Sequence, residues 1–252
     1  MSYTVDVVRV AIDLLMVVAE NPGLGVTELS KRSGLTKARS FRLLNTLEET
    51  GLIRRQEPMA TYSLGYRALL VGVAAKEQVR LSQLADNLLP TIGEACGESV
   101  LLRIREAHET VCIAWWDAPN TVRVESQLAR RRPLYAGASG KLLLAYAPED
   151  VQEAVLGAER ERFTSNTITG TSQLKQSILK VREQGYSISY AEKAIDTVSV
   201  ATPIYDAGGG VIASLATTAP ASRVPPEKLE VLLAALTAGA RQFSQQLGYL
   251  PT

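Results

Sequence analysis

Cysteine occurs only twice in the 252 residues, at Cys96 and Cys112. Two are too few for a disulfide framework, and neither sits in a CxxC or in a Cys/His cluster with zinc-ligand spacing. A reduced, cytoplasmic protein with neither a structural metal nor a cofactor is expected. Histidine occurs once, as His108. Long apolar runs are also lacking: the segment "MSYTVDVVRVAIDLLMVVAEN" is punctuated by Asp6, Arg9, Asp13 and Glu20 at helical spacing. That pattern marks the polar face of an amphipathic helix and not a signal peptide or a membrane span. Excess charge of either sign is absent, since 27 Lys plus Arg face 26 Asp plus Glu, a formal net charge of +1. Any electrostatic purpose must therefore be local. No internal repeat or low-complexity tract is visible. What remains is 46% hydrophobic and 21% charged, a soluble globular composition with material for two domains.

The charge that is present is unevenly placed. Between Lys31 and Arg55 stand seven basic residues (31, 32, 37, 39, 42, 54 and 55) against two acidic ones (48 and 49), +5 within about a tenth of the chain. Such an asymmetry is the footprint of a polyanion-binding face. "VTELSKRSG" reads as a helix capped by Thr27 and stopped by Gly34, and "TKARSFRLLNTLEETG" as a second capped by Thr36 and stopped by Gly51. Two helices joined by so tight a turn have the form of a helix-turn-helix. At about 100° per residue, Ser40, Leu43, Leu44 and Leu47 share one side of the second helix and Ala38, Phe41, Arg42 and Asn45 the other. The leucines must face the core. The opposite face, flanked by Lys37 and Arg39, is free to enter a major groove, where Arg and Asn make paired hydrogen bonds to base edges. Ser40 inward and Phe41 outward are the two oddities of this projection. "LIRRQEPMATYSLG" then reads as two extended runs around a Pro-Met-Ala turn, a wing that carries Arg54 and Arg55. A solvated charged face is the bland alternative; the turn, the caps, the wing and the one-sided distribution favour double-stranded DNA.

Residues 66–97 are helical and apolar on one side, with Pro90 expected to kink or restart the helix, and form a connecting element and self-association surface. From residue 98 the pattern changes to strands at "ESVLLRIRE" and "ETVCIAWWD" around an Ala-His turn, then at "TVRVESQL". Helical runs follow at "SGKLLLAYAPEDVQEAVLG" and "TSQLKQSILKVREQG". Strands return at "YSISY", "TVSVATPIYD" and "VIASLATTA", and "PPEKLEVLLAALTAGARQFSQQLG" closes the chain as a helix. This order suggests an α+β sensor-like domain. The expected division is residues 1–65, a linker helix 66–76, and 77–252. Trp115 and Trp116 point to opposite faces of one strand, so at most one can line a cavity. Arg130, Arg131 and Arg132 read as a loop before Pro133, either solvated or able to attract an anion.

"AGASGKLLLAY" invites enzymatic readings that fail. A phosphate loop would need Gly at Tyr135 and Ser or Thr at Leu142. A nucleophile at Ser139 has no partner, because nothing in the sequence arranges His108 beside it. No catalytic residue is assigned. Small residues opening a helix can offer unpaired N–H groups to a carboxylate, or they can simply permit tight packing at Gly137 and Gly140.

Taken together, "VTELSKRSGLTKARSFRLLNTLEETGLI", "RRPLYAGASGKLLLAY", "REQGYSISYAEKAIDTVSVATPIYD" and "VIASLATTAPASRV" resemble the IclR family of bacterial transcription regulators over nearly the whole chain. The resemblance implies an N-terminal winged helix-turn-helix and a C-terminal GAF-like α/β sensor domain with a mostly antiparallel sheet. It also implies operator DNA as partner, a homodimer or homotetramer, and a small organic acid, aromatic acids included, as effector. The implied effector contacts are Ala138 and Ser139 at a helix start, Ser189 and Ser199 on the following strands, and Thr218 on the last. Where some members have Asp and Cys, this chain has Ser189 and Ser199, which implies a different ligand. The family usually has a β-branched residue where Ser40 stands and His or Tyr at Phe41, so the operator is expected to differ. Two alternatives stay open on sequence alone: a small-molecule signalling module whose helix-turn-helix binds protein, and a hydrolase centred on Ser139.

Overall fold

A computed structural model describes residues 4–78, 80–120 and 128–250. The chain separates into two compact units, Met1–Val79 and Arg80–Thr252. The extended run expected at residues 121–128 falls almost wholly outside the described residues.

The first unit opens with helix α1 (Asp6–Glu20), whose Val10, Leu14 and Val18 recur every four residues and are buried. Strand β1 (Leu24–Gly25) leads into α2 (Val26–Ser33), which ends at Gly34 in the left-handed region at φ +68. The cap expected at Thr27 is not formed: α2 begins two residues earlier, Gly25 holds the N-cap position and gives no side-chain bond, and Thr27 lies inside the first turn. Helix α3 (Lys37–Glu49) starts as expected, with Thr36 Oγ1 accepting the Arg39 N–H at 3.3 Å. Strands β2 (Ile53–Gln56) and β3 (Thr61–Leu64) form the wing in antiparallel register, Ile53 opposite Leu64 and Gln56 opposite Thr61. β1 adds a third strand on the outer edge of β3, which the sequence did not announce. Leu14, Val18, Leu29, Leu44, Leu47, Ile53 and Tyr62 make one core beneath the three helices and the wing. Helix α4 (Tyr66–Gln78) closes the unit.

The second unit begins with α5 (Arg80–Cys96), which is continuous through Pro90. The expected interruption at Pro90 is absent because Leu81, Ala85, Leu89, Ile92 and Cys96 form a continuous buried stripe. Packing along that stripe outweighs the one hydrogen bond a proline removes. β4 (Val100–Glu106), β5 (Glu109–Trp116) and β6 (Arg131–Pro133) come next. Helices α6 (Ala138–Ala145), α7 (Glu149–Gly157) and α8 (Thr171–Gln184) follow, then β7 (Ser187–Tyr190), β8 (Thr197–Tyr205), β9 (Val211–Pro220) and α9 (Pro226–Gln246). The six strands form one antiparallel sheet in the order β6-β5-β4-β9-β8-β7. Residues 131–133, expected as loop, pair with β5 as its edge strand, because Arg131 is tethered to Glu106 and Glu109.

The sheet is buried on both faces. Val100, Leu102, Val200 and Leu215 pack under α5 and α9, and Leu101, Cys112, Ala201 and Ala216 pack under α6–α8. Period-two alternation therefore reads apolar on both sides of the central strands. The two tryptophans divide as their adjacency requires: Trp116 packs in the α5/α9 layer and Trp115 in the α6 layer.

Candidate functional site

Two sites stand out, one in each unit. On α3 the leucines at 44 and 47 are buried and Leu43 is half-buried, which turns Lys37, Ala38, Phe41, Arg42 and Asn45 to solvent. Phe41 is 44% exposed, while Ser40 is fully buried with no hydrogen-bond partner for its hydroxyl. The cations differ in availability. Arg39 Nη2 lies 3.2 Å from Asp6 Oδ2 on α1, and Arg9 binds the same carboxylate. The Arg9 and Arg39 guanidiniums hold the Asp6 carboxyl below the usual range. On the wing, Arg54 Nε donates to Ser63 Oγ at 3.0 Å and Arg55 pairs with Glu57 at 3.1 Å. Lys37, Arg42 and Asn45 make no side-chain hydrogen bond or ion pair among the described residues. Ala38, Phe41, Arg42 and Asn45 recur at i, i+3, i+4 and i+7, so they form one surface.

The second site is a cavity of about 140 Å³ between the start of α6 and the inner face of the sheet. Ala138 (2% exposed) and Ser139 line it from the helix, and Ser199 and Thr218 from β8 and β9. Ser199 and Thr218 face each other across the register and share a hydrogen bond of 2.9 Å. Ser189 is buried on β7, opposite Ser199 on its other side, and does not line the cavity. Trp115 does line it.

The helix start is more committed than its small residues suggest. Gly137 adopts φ +84 with open space where a Cβ would stand, so it serves the turn into α6, whereas a Cβ at Gly140 would stand 2.8 Å from Pro133 O, so Gly140 serves the tight packing of α6 on the end of β6. The Gly137 N–H donates to Glu192 Oε2 at 3.1 Å, and Glu192 Oε1 pairs with the buried Lys141. An N-terminal donor expected to be open is thus taken by the chain's own carboxylate.

Three cations complete the lining. Arg103 on β4 is 8% exposed and donates to Thr110 Oγ1 and to the Arg130 carbonyl, each at 3.1 Å. The Arg132 side chain on β6 makes no hydrogen bond or ion pair among the described residues. Lys193, after β7, places its Nζ over the Phe163 ring. Burial, and then the Arg130 and Arg103 charges, push the Arg132 guanidinium down to about 10. Burial likewise pushes the Lys193 ammonium down to about 8, with Arg132, Arg130 and Arg103 lowering it further against Glu161. Of these, only Arg132, within the arginine run at 130–132, stands out in the sequence. Arg103 was legible in principle: it alternates with Leu101 in "VLLRIRE" and so shares a face with core residues. No pattern marks Lys193, which only the loop conformation delivers.

His108 is exposed in the Ala107-His108 turn and is not among the residues lining the cavity. Among the described residues no cluster of His, Cys, Asp and Glu could hold a metal ion, and no helix is long and apolar enough to cross a membrane.

A winged helix-turn-helix with free donors, carried in one chain with a sheet-and-helix unit around a cationic cavity, defines a transcription regulator with a sensor domain. Residues 7–57 match the IclR helix-turn-helix domain, and residues 73–245 match the C-terminal domain of bacterial IclR transcriptional regulators. The chain belongs to the IclR family. It is 33% identical over 237 residues to the HTH-type transcriptional regulator KdgR of Escherichia coli K12, across 94% of this chain and 90% of that one. The crystal structure of the IclR transcriptional regulator from Alicyclobacillus acidocaldarius superposes with a TM-score of 0.88 at 26% identity, covering 98% of this chain and 100% of that one. An IclR homologue from Microbacterium hydrocarbonoxydans, crystallised with 4-hydroxybenzoate, shares the fold at 21% identity and a TM-score of 0.79, over 95% and 99% of the two chains. The family consists of DNA-binding transcriptional regulators and not of enzymes, which sets aside the hydrolase reading of Ser139.

Proposed function

We propose that this protein regulates a catabolic operon by binding operator DNA through α3 and the wing, and that a small organic acid seated in the α6 cavity changes that binding. The DNA half rests on the exposed, unpartnered Lys37, Arg42 and Asn45, with Ala38 and Phe41 between them and Arg39, Arg54 and Arg55 beside them. Arg42 and Asn45 suit base edges, while the wing arginines suit phosphates. The effector half rests on one observation: a cavity lined by three cations at the start of a helix. Ala138, Ser139, Ser199 and Thr218 shape its neutral wall. Ser189 has a supporting position behind Ser199.

The functional division follows as residues 1–65 for DNA, 66–76 as linker and 77–252 for effector binding and self-association. A homodimer or homotetramer is favoured because one short recognition helix reads too few bases, and a two-fold assembly reads two half-sites. Leu69, Leu70, Val71 and Val73 on α4 are exposed apolar residues suited to such an interface. A regulator of this kind works in the cytoplasm, where the DNA is.

The test is fluorescence anisotropy of the full chain on DNA from upstream of its own and neighbouring genes, with and without a panel of carboxylic acids that includes 4-hydroxybenzoate. Arg42→Ala is expected to lose about 1–3 kcal/mol and to relax base preference. Arg55→Ala is expected to weaken all sequences alike. Ala138→Phe fills the cavity and is expected to bind DNA but no longer respond to the acid. An acid that acts equally on wild type and Ala138→Phe would refute the cavity assignment.

A further inference from the structure

Of the two fully buried cations of this unit, Lys141 has a carboxylate partner in Glu192, and the half-buried Arg223 pairs with the buried Glu98. The half-buried Arg160 instead is saturated by three carbonyls and a hydroxyl. Arg103, buried, and Arg132 and Lys193, half-buried, have neither a carboxylate partner nor such a set of acceptors. Arg103 is 8% exposed yet donates only to a hydroxyl and a backbone carbonyl, both neutral. The Arg132 side chain has no partner among the described residues, and Lys193 has an aromatic ring. No Asp or Glu lines the cavity among the described residues. Of the nearby carboxylates, Glu192 is engaged by Lys141 and the Gly137 N–H, Glu106 and Glu109 are engaged by Arg131, and Glu161, which raises the Lys193 ammonium, does not line the cavity.

Desolvating charge without a counter-charge is costly, and three like charges around one small space add mutual repulsion. That repulsion is felt in the groups themselves, since each of the other two cations lowers the Lys193 ammonium. A single carboxylate would leave two of the three uncompensated. Two negative charges would match both guanidiniums, which cannot give up their protons in the physiological range, and leave only the ammonium that Phe163 already stabilises. The room available, about 140 Å³, is about what one benzene-sized molecule occupies.

Resting on the reading that this cavity takes the effector, we infer that the effector is a compact dianion, a short dicarboxylate or a phosphate monoester, held by Arg103, Arg132 and Lys193. Its uncharged body lies toward Trp115 and the Ser199–Thr218 hydroxyl pair. The guanidiniums offer planar forks to carboxylate or phosphate oxygens, and the ammonium a point charge.

The deciding experiment is calorimetry on the full chain at matched ionic strength with paired probes: butyrate against succinate, benzoate against phthalate, and glycerol against glycerol 3-phosphate. At least one dianion is expected to bind at least about tenfold more tightly than its partner. Arg132→Gln and Lys193→Gln should each weaken that dianion about ten- to a hundredfold. Arg130→Gln removes an exposed charge that acts on Arg132 and Lys193 from outside the lining, and should weaken the dianion less than either lining substitution. The phosphate and dicarboxylate arms report which source of charge is used. Melting of the ligand-free protein supplies a control that needs no ligand: Arg132→Gln should melt no lower than wild type, because it removes an uncompensated charge. Monoanions bound as tightly as dianions, a dianion indifferent to both substitutions, or an Arg132→Gln protein that melts several degrees lower would each overturn the inference. If monoanions bind and Ala138→Phe abolishes it, the cavity remains the effector site and only the charge assignment fails. If Ala138→Phe affects no probe, both readings fail together.

Discussion

On the proposed mode of DNA binding, Asp6 competes with the phosphates for Arg39. Its carboxylate on α1 holds Arg39 at 3.2 Å as well as Arg9, in an exposed pair that offsets part of the Arg39 charge. In Asp6→Ala, Arg39 regains its full charge at the edge of the reading face. Each phosphate neutralised changes the slope of log K against log salt by about −0.9. One additional effective cation per subunit steepens the slope by about 1.8 for a two-fold dimer. With affinities anchored at 1 M salt, 1.8 decades per decade of salt makes Asp6→Ala up to about 60-fold tighter at 0.1 M and up to about 20-fold at 0.2 M. The assay is anisotropy on an operator duplex between 0.1 and 0.5 M KCl. Asp13→Ala is the control, since it removes the same charge from the same helix but releases only Arg9. Identical slopes for wild type and Asp6→Ala would refute the reasoning. So would an equal effect of Asp13→Ala, which would mean that net charge, and not the release of Arg39, governs affinity.

Three further outcomes are expected. Ser40→Ala should stabilise the first unit by about 1 kcal/mol, because a buried hydroxyl without a partner is lost at little packing cost; hydrogen exchange of the α3 amides in the full chain measures this, and faster exchange would contradict it. Glu192→Ala should destabilise the second unit by about 3–5 kcal/mol by stranding Lys141, and Glu192→Ala combined with Lys141→Met should recover part of the loss in denaturant titrations followed by Trp fluorescence; an additive double variant would show the pair to be uncoupled. The ammonium of Lys193 is lowered to about 8 by burial, so the unfolded chain binds the proton more tightly from pH 8 to its ordinary value near 10.5. Stability of the ligand-free protein should therefore rise with pH across that window while dianion affinity falls, and Lys193→Gln should flatten both profiles.

Much of this architecture could be read from the chain itself. The leucine stripe of α3, the Thr36 cap, the wing turn at Pro58 and the alternation of β8 and β9 are local signals, each set by a few neighbouring residues. What escaped was decided at longer range. Pro90 argues for a break, but a stripe of five buried side chains on α5 overrides it. Arg131–Pro133 looks like loop until Glu106 and Glu109, on the two strands of a hairpin, fix Arg131 at the sheet edge. Thr27 is a good cap residue placed two positions after the N-cap that Gly25 holds. The helix start at Gly137 and Ser139 was recognisable, and the run holding Arg132 was open to an anion reading, whereas the convergence of Arg132 with Arg103 and Lys193 was not legible. Arg103, Arg132 and Lys193 come from β4, β6 and the segment after β7, and only the strand order brings them together.

The carboxylate of Glu192 has a consequence for how such a sensor can change its taste. By occupying the Gly137 N–H and Lys141, it makes the entry into α6 self-sufficient, so the turn keeps its shape whether the cavity is full, empty or rebuilt. On the proposed reading, recognition is left to side chains that project from three separate elements, two of which, Arg132 and Lys193, hold no other part of the chain by a hydrogen bond or ion pair among the described residues. Arg132 on an edge strand and Lys193 on a loop can be exchanged singly without disturbing the frame. A lineage could therefore move from one acid to another by a few substitutions at the rim, keeping the same fold and the same route to the DNA.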